Sequence, residues 1–292
     1  GARLALASLA IAENRLDDAR RDIDTVLKDA RNSLQARHLL ALIEFRENKL
    51  EAARDRLAGI LKSAPGFMPA VLLAGTVEFA LGNLQTAEAH LNQVIKAAPH
   101  NVQALRLLAA TQLRLNRADD AARTLAAIPE TAEDASYHLI AGEVALARKE
   151  FDKAAGHFET ATRLSPDSAA LRTELGIARL AQGDARAMDD LQAAAAMEGG
   201  GGRADTVIIL NQLKAEKFDA ALASIAALEK KQGADPLVWN YRGAAYLGKK
   251  DRAKARESYA QALKLDPKFF PAAANLAQLD LIDKQPDAAR QR

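Results

Sequence analysis

An alanine recurs along this chain every 34 residues, in places every 33, and that period constrains the fold more than any composition value does. The column is Ala19, Ala53, Ala87, Ala121, Ala154, Ala221, Ala255 and Ala289, and Ala187 joins it if one residue is lost near the turn before it. A second column holds small residues, Ala7, Ala41, Gly75, Ala109, Gly142, Gly176, Gly243 and Ala277, with Ile209 as the departure. Four residues after each alanine stands a large side chain: Ile23, Leu57, Leu91, Leu125, Phe158, Leu191, Ile225 and Tyr259. Each period contains two apolar runs at helical spacing around a short polar turn, so each is read as a helix hairpin. Such a hairpin cannot bury its apolar face alone, so neighbouring copies must stack. The small residues are expected to let the two helices of a hairpin meet closely, and the large ones to fill the gap to the next hairpin. Pro65, Pro99, Pro166 and Pro267 fall where second helices must stop, because proline lacks the N–H and disfavours helix in the residue before it.

The clearest copy runs from Pro236 to Pro267, PLVWNYRGAAYLGKKDRAKARESYAQALKLDP. Trp239, Gly243, Tyr246, Ala255, Tyr259, Ala262 and Pro267 stand at positions 4, 8, 11, 20, 24, 27 and 32. That arrangement resembles the tetratricopeptide repeat (TPR). The resemblance implies an all-α, right-handed superhelical solenoid of about eight helix hairpins and a partial ninth. Repeats are placed at about 1–33, 34–67, 68–101, 102–134, 135–168, 169–201, 202–235 and 236–269, with a partial copy at 270–292. Trp239 is expected in the core and Gly248 in the turn of its hairpin. The stretch PETAED after Ile128 should shorten the second helix of the fourth repeat, and the glycines of 199–202 are a candidate hinge. Gly1, followed at once by a helical run, is expected to be a trimmed end of a longer protein.

The composition excludes several classes. Only 4% of residues are aromatic although 49% are hydrophobic, so alanine and leucine dominate, as suits close helix packing. Forty basic and 38 acidic residues give a net charge of +2 without a like-charged block, which argues against a nucleic-acid partner. There is no cysteine, and therefore no disulfide, thiolate metal site or cysteine nucleophile. His38, His90, His100, His138 and His157 show no metal-ligand spacing. The run of glycines at 199–202 lacks the Lys-Ser/Thr of a phosphate loop. Acidic pairs such as Asp17–Asp18, Asp119–Asp120 and Asp189–Asp190 sit where second helices begin and complement the helix dipole. No cofactor, metal or catalytic group is implied, and the chain is read as non-enzymatic.

In the repeats this chain resembles, first helices line a concave groove through their positions 2, 5, 9 and 12, and the groove holds a protein or peptide segment. Transferred to this sequence, those positions nominate His38, Leu42, Phe45, Leu72, Thr76, Phe79, Arg106, Leu113, Leu139 and Glu143 as partner-binding residues, with Thr173 and Asn240 among those further along. Arg106 is expected to supply a fixed positive charge. The Lys and Asn with which some members clamp acidic chaperone tails are absent. The run FMPAVLLAGTVEFALGNLQTAEAHLNQVIKAAPHN and the style of the chain are also similar to bacterial TPR lipoproteins of exosortase/PEP-CTERM sorting and exopolysaccharide production. That narrower resemblance implies a periplasmic scaffold whose only tie to a membrane is a lipid anchor outside these residues. A cytoplasmic TPR adaptor, or the TPR module of a larger enzyme, are the alternatives.

Overall fold

The computed structural model describes residues 2–129, 134–198 and 200–292, so the expectations placed on Gly1, on residues 130–133 and on Gly199 lie outside the described residues. Among the described residues there are 18 α-helices and no strand. By its contacts the chain forms two units, one ending at Glu150 and the other beginning at Phe151. In the first unit, first helices α1 (Ala2–Ala12), α3 (Leu34–Arg46), α5 (Met68–Leu81), α7 (Val102–Arg114) and α9 (Ala135–Ala147) alternate with second helices α2 (Leu16–Asp29), α4 (Leu50–Ser63), α6 (Leu84–Ala97) and α8 (Ala118–Leu125). The second unit opens with α10 (Phe151–Leu164) and continues with the hairpins α11 (Ala169–Gln182) with α12 (Ala187–Ala196), α13 (Arg203–Lys214) with α14 (Phe218–Gln232), α15 (Pro236–Gly248) with α16 (Arg252–Leu265), and α17 (Phe270–Ile282) with the short α18 (Pro286–Arg290). The short α8 follows from the early Pro129, and α4, α6, α10 and α16 each end two residues before Pro65, Pro99, Pro166 and Pro267.

Where the small residue is Gly75, Gly176 or Gly243, the small and large columns meet face to face inside the hairpin. A Cβ on Gly75 would lie 3.0 Å from Leu91 Cγ, one on Gly176 2.6 Å from Leu191 Cγ, and one on Gly243 2.4 Å from Tyr259 Cε1. The large residue therefore fills the space over the small residue of its own hairpin, a correction to the expectation that it serves only the gap to the next. It also reaches the next hairpin, since Tyr259 packs with Ala272 and Leu276 of α17. Ala19, Ala53, Ala87, Ala121, Ala154, Ala187, Ala221 and Ala255 are all buried. Ala277 and Ala289, at the last hairpin, are only half-buried.

The turns repeat as strictly as the cores. Asn14, Asn48, Gly82, Asn116, Lys149, Gly183, Glu216, Lys250 and Lys284 all have positive φ, between 56° and 81°. They are spaced by 33 or 34 residues and share position 15 of the repeat. Each follows the end of a first helix, and the N–H of the next residue closes a bond of 2.8–2.9 Å to the carbonyl five residues back, from Arg15 to Ala10 through Gln285 to Asp280. This left-handed cap reverses the chain and sets the hairpin. Gly248, expected in the turn, instead ends α15; a Cβ there would lie 2.1 Å from Phe218 Cε1, so it is small to admit Phe218. At the glycine run, Gly201 and Gly202 also have positive φ, and Gln232 Nε2 donates to the Gly201 carbonyl at 3.0 Å.

A polar contact ties position 11 of a first helix to the second helix of the same hairpin. Arg56 holds the buried Glu44 at 2.8 and 2.5 Å, and Thr124 donates to Gln112 at 2.8 Å. Arg179 bonds Asp190, and Arg292 donates to the buried Asp280 at 3.0 Å. The partners are 12 residues apart except in α11–α12, where the separation is 11, which locates the lost residue ahead of Ala187.

Lysine and glutamate carry a Cβ cost in the left-handed region that glycine does not. Glu216→Gly should therefore raise the urea midpoint by an amount equivalent to about 1 kcal/mol, whereas Ala223→Gly, exposed inside α14, should lower it by a similar amount.

Candidate partner-binding face

Within the first unit each first helix touches the next, α1 with α3, α3 with α5, α5 with α7 and α7 with α9, and the second helices do so less. Closer approach on one side bends a stack toward that side, so the first helices form its inner face. On that face His38, Leu42, Phe45, Leu72, Thr76, Phe79, Arg106, Leu113, Leu139 and Glu143 are each half-buried. The reason is positional: residues at positions 3, 7 and 10 of the same helices, such as Ala70, Ala74 and Val77, turn into the stack and disappear from solvent, while these ten stand on the helix edge beside them.

The ten differ in how much they offer a partner. Leu42, Phe45, Leu72 and Leu113 pack against core clusters from the side, so part of each is structural. Thr76 Oγ1 donates to the Leu72 carbonyl at 3.0 Å and so is turned onto its own helix. Phe79 lies under the Arg114 guanidinium, 4.8 Å from the ring centroid. Arg106 forms an ion pair with Asp134, and the guanidinium holds that carboxyl below its usual range. Asp134 also accepts from the Tyr137 N–H at 2.9 Å and caps α9. The charge expected of Arg106 is thus already matched inside the protein. His38 meets Phe67 edge-on at 5.8 Å, and burial lowers the pKa of its imidazole, whose Nδ1 has no hydrogen-bond partner.

Further along, the transferred positions fare differently. Thr173 is buried and donates to the Ala169 carbonyl at 2.8 Å, so it is no part of an exposed wall. Asn240 accepts from Asn275 at 2.9 Å. Trp239, expected in the core, is half-buried: it packs against one edge of the cluster around Tyr259, and its ring lies 4.3 Å beneath the Arg242 guanidinium. Arg242 occupies position 7, where first helices elsewhere bury Leu40, Ala74, Leu108 or Leu175, and its guanidinium covers the Trp239 ring while donating to Glu229 of α14 at 2.6 Å. Among the described residues no group of histidines and carboxylates has the arrangement of a metal site, and no helix is long and apolar enough to cross a membrane.

Sequence profiles of the tetratricopeptide repeat match residues 4–66, 78–142, 139–200 and 236–269. The chain is built of tetratricopeptide repeats. The seventh of these TPRs, with Ile209 in its small column, lies outside the matches. No curated protein matches the chain in sequence. Among solved structures it is similar to a tetratricopeptide repeat protein from Parabacteroides merdae, with 13% identity and a TM-score of 0.52 over 99% of this chain and 97% of that one. It is also similar to human IFIT1, solved as a dimer with PPP-AAAA, with 14% identity and a TM-score of 0.62 over 98% and 80% of the two chains. MamA from Desulfovibrio magneticus RS-1 aligns with 56% of this chain and 93% of its own, at 18% identity and a TM-score of 0.51. At these identities the likeness is one of fold.

Burial lowers the pKa of His38 and of His90, so below the ordinary imidazole value of 6.5 the unfolded chain binds more protons than the folded one. The stability these neutral rings carry is present above that pH and lost as pH falls through it. Urea midpoints should drop between pH 7.5 and pH 5, and less steeply in His38→Gln than in the wild type.

Proposed function

We propose that the protein is a non-enzymatic scaffold whose first-helix face in residues 34–147 binds a segment of a partner protein. The observation that carries this reading is the continuity of that face: half-buried apolar side chains from α3, α5, α7 and α9 lie on four neighbouring helices that touch one another. Stacked hairpins present such extended inner surfaces, and a chain segment can lie across them. The narrower role, in bacterial envelope protein sorting or exopolysaccharide secretion with a periplasmic location, is supported by the resemblance of residues 67–101 and the lack of cysteine. A cytoplasmic adaptor would use the same face.

Binding through such a surface concentrates in a few large side chains. Phe79→Ala should weaken capture of the partner by about 1–2 kcal/mol, roughly 5–30-fold, while Arg123→Ala, with its side chain 74% exposed on α8, should leave it unchanged. The measurement is quantitative co-purification with the wild type and both variants, each first shown to be helical. Loss with Arg123→Ala and retention with Phe79→Ala would move the site to the opposite face.

A further inference from the structure

Two cations on the inner face of the first unit are held without being neutralised. Arg46, at the end of α3, donates from Nη1 to the Ile11 carbonyl at 2.7 Å. Arg114, at the end of α7, donates from Nη1 to the Phe79 carbonyl at 3.4 Å. Both stand at position 13 of their repeats, and each anchors on the last turn of the preceding first helix. Both are exposed, and neither has a carboxylate partner among the described residues. Their neighbours differ: Arg106 is matched by Asp134, and Glu44 and Glu78 are taken up by Arg56 and Asn83. A single bond to a carbonyl uses one of five guanidinium donors and leaves the charge intact. Between the two arginines, α5 carries Ala80 at position 13, while Phe79 beside it lies under the Arg114 guanidinium. The face therefore reads cation, apolar step, cation.

We infer that this face selects a protein segment with two carboxylates about five or six residues apart and an apolar residue between them. The inference rests on the proposed scaffold function and deepens it. Packed helices lie about 8–10 Å apart, and α3, α5 and α7 touch in sequence, which puts the two guanidinium sites about 16–20 Å apart. An extended chain advances about 3.3–3.6 Å per residue, so about five or six residues span that distance. Arginine suits the task because its planar donors take a carboxylate in a two-point contact, and a guanidinium already tethered to the backbone loses less freedom on binding. The apolar residue of the segment meets the exposed Ala80 and the half-buried Phe79 at the end of α5.

The test is selection of random dodecapeptides displayed on phage against the full 292-residue chain, followed by fluorescence anisotropy with labelled versions of the enriched peptides. Arg46→Gln and Arg114→Gln serve as variants because glutamine keeps a donor for the carbonyl and removes the charge; thermal unfolding confirms that each folds, and Arg123→Gln is the control. Enriched peptides should carry Asp or Glu pairs at the stated spacing around an apolar residue, lose at least tenfold in affinity to each variant, and bind more weakly as salt rises. Enrichment of apolar peptides without acidic pairs, sensitive to Phe79→Ala alone, would overturn the inference and leave the scaffold reading standing. Peptides indifferent to Phe79 and to both arginines, or no enrichment over an unrelated helical protein, would overturn both. Binding of a single-stranded RNA oligonucleotide, weakened by the same glutamine variants, would assign the arginines to a nucleic acid and overturn the inference as well.

Discussion

The contact between a small residue on the first helix and a large residue on the second is the interaction on which the other features depend. Where the small residue is glycine, the large side chain sits in the space a Cβ would occupy, as with Gly176 under Leu191 and Gly243 under Tyr259. That contact fixes how far apart the helices of a hairpin lie and at what height along their axes. Once height is fixed, the left-handed residue at position 15 can close the turn, and position 11 comes opposite the second-helix residue that satisfies it. Buried polar groups are tolerated only when paired, so these contacts hold the register that the apolar columns set.

The same geometry explains why a half-covered apolar face arises on the first helices. Small residues on the first helices, together with the cross-stack contacts between them, draw one side of each unit in, and residues at the helix edge are left half-covered rather than covered. Apolar groups in that condition retain area to bury against a partner. The second helices face out with ion pairs among neighbouring turns, such as Arg117 with Glu88 at 2.7 Å, in settings where solvent screens them. Such contacts keep that face solvated and offer few anchors.

Much of this was legible in the sequence because its causes are local. A 34-residue period, an alanine column and proline stops report packing geometry directly, and they located Ala187 despite the residue missing from its repeat. The left-handed column escaped notice because Asn and Gly announce positive φ whereas Lys149, Glu216, Lys250 and Lys284 do not. Gly248 misled for the complementary reason: a glycine near a turn can serve a close approach, here to Phe218, as well as the turn. The place of Trp239 in the repeat points to the core, but the neighbour that covers its ring, Arg242, is recognised only by comparison with the buried residues that other repeats place at position 7. On the candidate face, sequence position located the half-buried edge residues. It did not reveal that Asp134 neutralises Arg106 or that Arg46 and Arg114 remain unmatched, since those outcomes depend on residues 28 or 35 positions away.

The central claim, that the hairpin is set by a small residue lying directly under a large one, as at Gly75, Gly176 and Gly243, makes the effect of one substitution depend on another. In the wild type, Gly176→Ala places a Cβ 2.6 Å from Leu191 Cγ, and overpacking of this kind costs about 1–3 kcal/mol. In a Leu191→Ala background the Leu191 side chain no longer obstructs and the nearest remaining atom is the Ala187 carbonyl oxygen at 3.3 Å, so the same change should lose most of that cost, with helix propensity favouring it by about 0.5–1 kcal/mol. The decisive measurement is the urea midpoint of all four proteins of this cycle. A cost of Gly176→Ala smaller by about 1 kcal/mol or more in the Leu191→Ala background is the predicted result, and an equal effect of Gly176→Ala in both would contradict the account.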